Sequence, residues 1–193
     1  MLRTLAIAST LVLGSFLSGA VKADSPSYDF FEVAYVSGDI DNPDVDGDGF
    51  SFGGSVSVHE NWFLFADYTD LDFDFGVDLS LLDVGVGYRV EMSDNTDFAF
   101  TGSFVRADAS GPGGSADDDG YGLSAIIRGM VNEQFELNGG ISYVDLGGTD
   151  GDDTSFVLGG VYSFTDNVAF DGRIEIGDDV NLYVAGFRFY FNN

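Results

Sequence analysis

"GFSFGGSVSV", Gly49–Val58, sets Phe50, Phe52, Gly54, Val56 and Val58 on one side of an extended chain and Ser51, Gly53, Ser55 and Ser57 on the other, because successive side chains of a strand point to opposite faces. "FELNGGISY", Phe135–Tyr143, repeats the pattern: Phe135, Leu137, Gly139, Ile141 and Tyr143 alternate with Glu136, Asn138, Gly140 and Ser142. A soluble sandwich also alternates, but with a bulky inward face and an outward face of Lys and Thr. Here the polar face holds Gly, Ser and isolated charges, and the apolar face is aromatic-rich. Such runs fit strands of about 9–11 residues tilted through a bilayer, with lipid outside and a polar lumen inside.

Working outward, alternation and turn residues give ten segments: Tyr28–Ser37, Gly49–Val58, Trp62–Leu71, Ser80–Val90, Asp97–Ala107, Gly120–Met130, Phe135–Val144, Thr154–Phe164, Val168–Ile176 and Val180–Phe191. The connections alternate in kind. "HEN" (His59–Asn61), "EMSDNT" (Glu91–Thr96), "NEQ" (Asn132–Gln134) and "TDN" (Thr165–Asn167) are short. Between them lie "GDIDNPDVDGD", "DFDFGVD", "DASGPGGSADDD", "DLGGTDGDD" and the brief "GDD" at Gly177–Asp179, which read as acidic extracellular loops. An even count with short turns at one rim and long loops at the other is the arrangement of a bacterial outer-membrane barrel. The fold class read from the sequence is therefore all-β, a transmembrane antiparallel up-and-down β-barrel of ten strands, with eight as the alternative count.

Composition agrees. The chain has 193 residues, no cysteine, 19 Phe, 9 Tyr, 27 Gly and a formal net charge of −26. Nucleic acid is not an expected partner, since phosphate binding needs clustered Lys and Arg. The aromatic content is too high for a disordered chain. "MLRTLAIASTLVLGSFLSGAVKA", residues 1–23, has a basic start, a short apolar stretch and small residues before Ala23, the features of a secretory signal. Residues 24–193 are the expected barrel domain. No later stretch is long and apolar enough for a membrane helix.

The chain resembles the small outer-membrane β-barrel proteins of Gram-negative bacteria, the porin-like or opacity-type family. The likeness rests on "YDFFEVAYVSGD" (Tyr28–Asp39), "DGDGFSFGGSVSVHENWFLFADYTDLDFD" (Asp46–Asp74), "LDVGVGYRV" (Leu82–Val90) and the closing "YVAGFRFYF" (Tyr183–Phe191). It implies an outer-membrane location, contact with membrane lipid and lipopolysaccharide, and insertion by the barrel-assembly machinery. Gly186, Phe189 and Phe191 resemble the assembly signal. Here Asn192 and Asn193 follow the last aromatic, and Val184 stands where a polar residue is common.

Parity places Glu32, Asp67, Asp83, Glu136, Asp171 and Glu175 on the polar face with Arg89, Arg128, Arg173 and Arg188, which predicts a lumen crossed by Arg–carboxylate pairs. Arg106 shares parity with Phe98, Phe100 and Phe104, and on that lipid side a lipopolysaccharide phosphate is its expected partner. Asp44, Asp46, Asp48 and Gly49 occupy positions one, three, five and six of a calcium loop, yet position twelve is Ser55 and a strand follows. An EF-hand is ruled out, and only weak calcium binding at Asp44, Asp46 and Asp48 is expected. The single histidine, His59, falls in a short turn at the rim opposite the loops. Exposed carboxylates lack the environment that would drive their pKa values apart. No catalytic residue and no other cofactor is expected, and the chain reads as no enzyme. The functional expectation is a structural barrel or a narrow, cation-preferring passive pore for small cations or solutes. The alternative is a surface adhesion or recognition barrel acting through its loops over a plugged lumen.

Overall fold

The computed structural model of the chain describes residues 25–41, 44–147, 152–178 and 180–191. The predicted export signal, residues 1–23, lies outside them. Ten antiparallel strands follow one another around a closed barrel: β1 (Phe30–Asp41), β2 (Asp44–Ser57), β3 (Trp62–Phe73), β4 (Val77–Ser93), β5 (Thr96–Gly111), β6 (Gly114–Asn132), β7 (Phe135–Asp145), β8 (Asp152–Thr165), β9 (Val168–Ile176) and β10 (Val180–Tyr190). Closure is by β1 on β10, with Phe31 opposite Phe189, Glu32 opposite Arg188 and Val33 opposite Phe187. A closed ring leaves no unpaired strand edge, as a sheet in hydrocarbon requires.

Each of the ten expected segments is a strand and the four short turns recur, but β1 starts at Phe30 rather than Tyr28, and β4 and β5 run into the expected Glu91–Thr96 turn until only Asp94 and Asn95 remain between them. The turns are tight because side-chain oxygens take up the orphaned amides. Asn132 Oδ1 accepts from the amides of Gln134 and Phe135, both at 2.9 Å, and Thr165 Oγ1 accepts from that of Val168 at 3.1 Å. The extracellular ends differ from expectation. Among the described residues the first three acidic segments read as loops are largely strand: β2 begins at Asp44, β3 and β4 are separated by residues 74–76 alone, and β5 and β6 stay paired as far as Gly111 opposite Gly114. With 16 and 19 residues, β5 and β6 exceed the span of a bilayer and continue above it as a ribbon.

The outer surface carries Phe52, Leu64, Val84, Phe100, Leu123, Ile141, Leu158 and Ile174, all exposed. Aromatic pairs brace it. Phe31 stacks on Phe189 at 4.8 Å, Trp62 meets Tyr88 edge-on at 4.8 Å, and Tyr121 neighbours Tyr143 at 6.1 Å. Rings at both ends of an apolar band form the girdles of a transmembrane barrel.

Above the extracellular girdle the alternation changes sense. In β3, Ala66 and Tyr68 face out while Asp67 faces in, but from Asp70 upward the carboxylates of Asp70 and Asp72 face out and Leu71 and Phe73 face in. The same switch runs through β1, β4 and β10. Ala34, Val36, Leu71, Phe73 and Val184 form a buried cluster, with Ile40, Val45, Leu79 and Leu182 packed against it. The expected polar lumen is therefore corrected at its extracellular end, where the interior is apolar. Where the wall leaves lipid for water, the barrel behaves as a soluble one and buries its apolar side chains inward. Phe73 lies across Gly47, where a β-carbon would collide with its ring.

Candidate functional site

The inward faces of the strands build a lumen whose middle is crossed by ion pairs. Arg188, opposite Glu32 in the β1–β10 register, donates through Nε to Glu32 Oε2 at 2.9 Å and through Nη2 to Asp171 Oδ2 at 3.2 Å. Arg128 forks onto Glu136, with Nε to Oε1 at 2.8 Å and Nη2 to Oε2 at 2.9 Å. This planar two-bond geometry is what arginine offers and lysine does not. Arg173 pairs with Glu175 two residues along the same face at 2.8 Å, and Arg89 reaches Asp97 at 3.3 Å. Glu32, Glu136, Asp171, Arg128 and Arg188 are all buried.

Every arginine that parity assigned to the lumen is there and has a carboxylate partner. Sequence reasoning missed Asp97, which is fully buried and holds Arg89. Its parity with Ala99, Thr101 and Ser103 was the signal. It also missed that Tyr28 lies before the first strand, buried inside the barrel.

Two of the predicted lumen carboxylates stand apart. Asp67 and Asp83 face each other across β3 and β4, and neither is among the ion pairs of the described residues. The Asp67 carboxylate leans over Gly53, a position with no room for a β-carbon. Both line a cavity of about 280 Å³ in company with Thr101, Ser103, Ser124, Asn138 and Ser142, while Arg173 and Glu175 close its far side. A second, wider cavity of about 1170 Å³ opens at the other end, lined by Glu136, Gln134, Ser163 and Tyr190. The septum between them is made of the Arg128–Glu136 and Arg188–Glu32–Asp171 groups with Tyr28.

Outside the lumen, Arg106 points outward at the extracellular end beside Phe104. Its guanidinium already meets Asp108 at 3.2 Å, Asp117 at 3.5 Å and Asp119 at 3.8 Å. A lipopolysaccharide phosphate approaching Arg106 would have to displace these carboxylates. Asp44 opens β2 and Asp46 and Asp48 continue it, so the stretch is a strand rather than the extracellular loop it resembled. Asp46 lies opposite Asp39, and Asp48 opposite Asp72. The extended stretch presents Asp46 and Asp48 side by side on one face, about 6.8 Å apart along the backbone, instead of wrapping its carboxylates round a centre as a calcium loop does. Among the described residues no group of three or more His, Asp or Glu is arranged to hold a metal ion. Asp72 shares a hydrogen bond with Asp78 above the membrane, which, with further like charges nearby, raises its pKa above the ordinary aspartate value. His59 is exposed in the turn between β2 and β3. Gly186 packs against Ala34, Phe189 against Phe31, and Phe191 is exposed on the outer face.

Residues 86–180 match the family model of the Gram-negative porin. No curated protein matches the chain by sequence. Among solved structures, the NanC porin is similar with a TM-score of 0.50 at 8% identity, covering 82% of this chain and 100% of that one. The outer membrane protein OprG from Pseudomonas aeruginosa gives 0.49 at 12% identity over 90% of this chain and all of its own. The KdgM porin gives 0.48 at 11% identity, covering 83% of this chain and 99% of that one.

Proposed function

We propose that this ten-stranded outer-membrane β-barrel, whose residues 86–180 match the Gram-negative porin model, is a narrow, cation-preferring passive pore for small solutes and has no catalytic role. One observation carries this reading. Each lumen guanidinium is committed to Glu32, Asp97, Glu136, Asp171 or Glu175, which leaves Asp67 and Asp83 facing the upper cavity with no positive partner at ion-pairing distance. Carboxylates that line a confined passage raise the local concentration of cations and disfavour anions whenever they are ionised. The carboxylates of the extracellular ribbons extend the same bias outward, drawing in mono- and divalent cations diffusely rather than at a built site. The ion-pair septum supports a small conductance rather than a wide water-filled channel.

The test is single-channel recording of the refolded barrel in a planar bilayer under a salt gradient. Discrete steps with a cation-selective reversal potential are expected. In the double variant Asp67→Asn, Asp83→Asn the reversal potential moves toward zero. An unchanged reversal potential in that variant would remove these two carboxylates from the selectivity. Complete silence from folded barrels would turn attention to the ribbons as a recognition surface.

A further inference from the structure

Residues 25–29 precede β1 and pair with no strand, yet Pro26 and Tyr28 are among the most buried residues of the molecule. The segment starts at the wall where β1 meets its neighbours. Asp29 Oδ1 accepts the Ser57 amide, and the Asp29 carbonyl accepts the Phe191 amide at 3.0 Å, tying this end to β2 and β10. From there it crosses the mouth. The Ser27 carbonyl accepts from Arg128 Nη2 at 3.1 Å, and Arg128 sits on β6, five strands from β1 in either direction around the ring. Ser25 Oγ donates to the Asp94 carbonyl, in the turn between β4 and β5, at 3.2 Å.

The ring of Tyr28 is gripped from several sides. It lies against Phe63 with centroids 4.5 Å apart and ring planes tilted by 33°, the Arg128 guanidinium lies 4.4 Å from its centroid, and that of Arg89 lies at 5.3 Å. Cations over an aromatic face are attracted by its quadrupole, so two lumen arginines that each hold a carboxylate also hold this ring. Pro26 has no amide to offer a ladder, which keeps the segment from being absorbed as an extension of β1. One cavity lies on each side of it: Tyr28 helps floor the upper one, and Ser25 and Ser27 line the lower one.

We infer that residues 25–29 form a plug strapped across the periplasmic mouth, with Tyr28 as the stopper that separates the two cavities and sets the closed state of the passage. The inference rests on the pore reading above. Its grip is mainly aromatic and cationic: among the described residues Tyr28 Oη makes no well-aligned hydrogen bond, Arg128 is the one guanidinium near enough to the hydroxyl to interact with it, and the ring face carries the contacts to Phe63, Arg128 and Arg89.

The experiment compares single-channel conductance of the wild-type barrel, Tyr28→Phe, Tyr28→Ala and a form lacking Ser25–Tyr28. Each is first shown to be folded by its heat-modifiable mobility on gels. The deletion keeps Asp29 and its two anchoring bonds. Tyr28→Phe should conduct like wild type, whereas Tyr28→Ala and the deletion should raise the conductance or open time severalfold. If folded wild type and deletion conduct equally, the plug is refuted and the pore stands. If both are silent, the pore reading fails and the plug with it.

Discussion

Replacing Arg188 by Ala should destabilise this barrel more than any other single loss of charge. The side chain is 7% exposed and its partners Glu32 and Asp171 are 9% and 2% exposed, so its removal strands two carboxylates behind the β1–β10 seam that closes the ring. Removing one partner of a buried pair costs about 3–5 kcal/mol, because the remaining charge is left uncompensated. The Phe30 ring, 4.1 Å from the guanidinium, loses its cation as well. With a urea dependence of about 2 kcal/mol per molar, the unfolding midpoint should fall by roughly 2 M. The chain has a single tryptophan, Trp62, on the lipid-facing surface, and its fluorescence shift on leaving the bilayer reports unfolding directly. The companion change Arg106→Ala, at an exposed site, should leave the midpoint in place. Adding Glu32→Gln and Asp171→Asn to the Arg188 variant should restore part of the loss. A midpoint for Arg188→Ala equal to wild type would show that lumen water, not the guanidinium, solvates these carboxylates.

Leu71→Ala, at a side chain only 1% exposed in the inner apolar cluster, should cost about 2–5 kcal/mol in the same assay; an unchanged midpoint would show that the cluster is not a packed core. Since the folded pKa of Asp72 is raised, the β3–β4 ribbon should be firmest below the ordinary aspartate pKa and loosen as pH climbs through the raised value. Amide exchange across 70–80 against pH would reveal this, and Asp78→Asn should flatten the profile. Charge reversal at Arg106 should weaken retention of lipopolysaccharide during detergent extraction only if a phosphate displaces the three surrounding aspartates. An unchanged yield would leave Arg106 as a neutraliser of its own strand pair.

The membrane-spanning part of the wall was legible because lipid enforces a strict two-residue rule: "FELNGGISY" can bury or expose its sides in only one way. The same rule put Arg89, Arg128, Arg173 and Arg188 inside. It failed in "DVDGDGF" for a physical reason. Aspartate and glycine are poor strand formers, and nothing local shows that Asp46 and Asp48 merely continue a ladder begun at Phe50 in lipid. Leu71 and Phe73 escaped notice because they alternate with Asp70 and Asp72 in the opposite sense from Tyr68 and Asp67. Tyr28 had the right parity but no strand to belong to. Its place depends on Arg128, a hundred residues away in sequence and on the far wall.

The reversal of alternation above Tyr68 also acts as a waterline. Asp48, Asp72 and Asp78 stand side by side on the outward face, about two residues above the aromatic girdle. Were the barrel to sink by one pair of residues, these carboxylates would enter hydrocarbon at a cost that rises with depth. Were it to rise, Phe50 and Tyr68 would be stripped of lipid. The molecule is thus keel-weighted: its draught in the membrane is fixed by where its own sequence changes sign, and bilayer thickness need only be matched below that line.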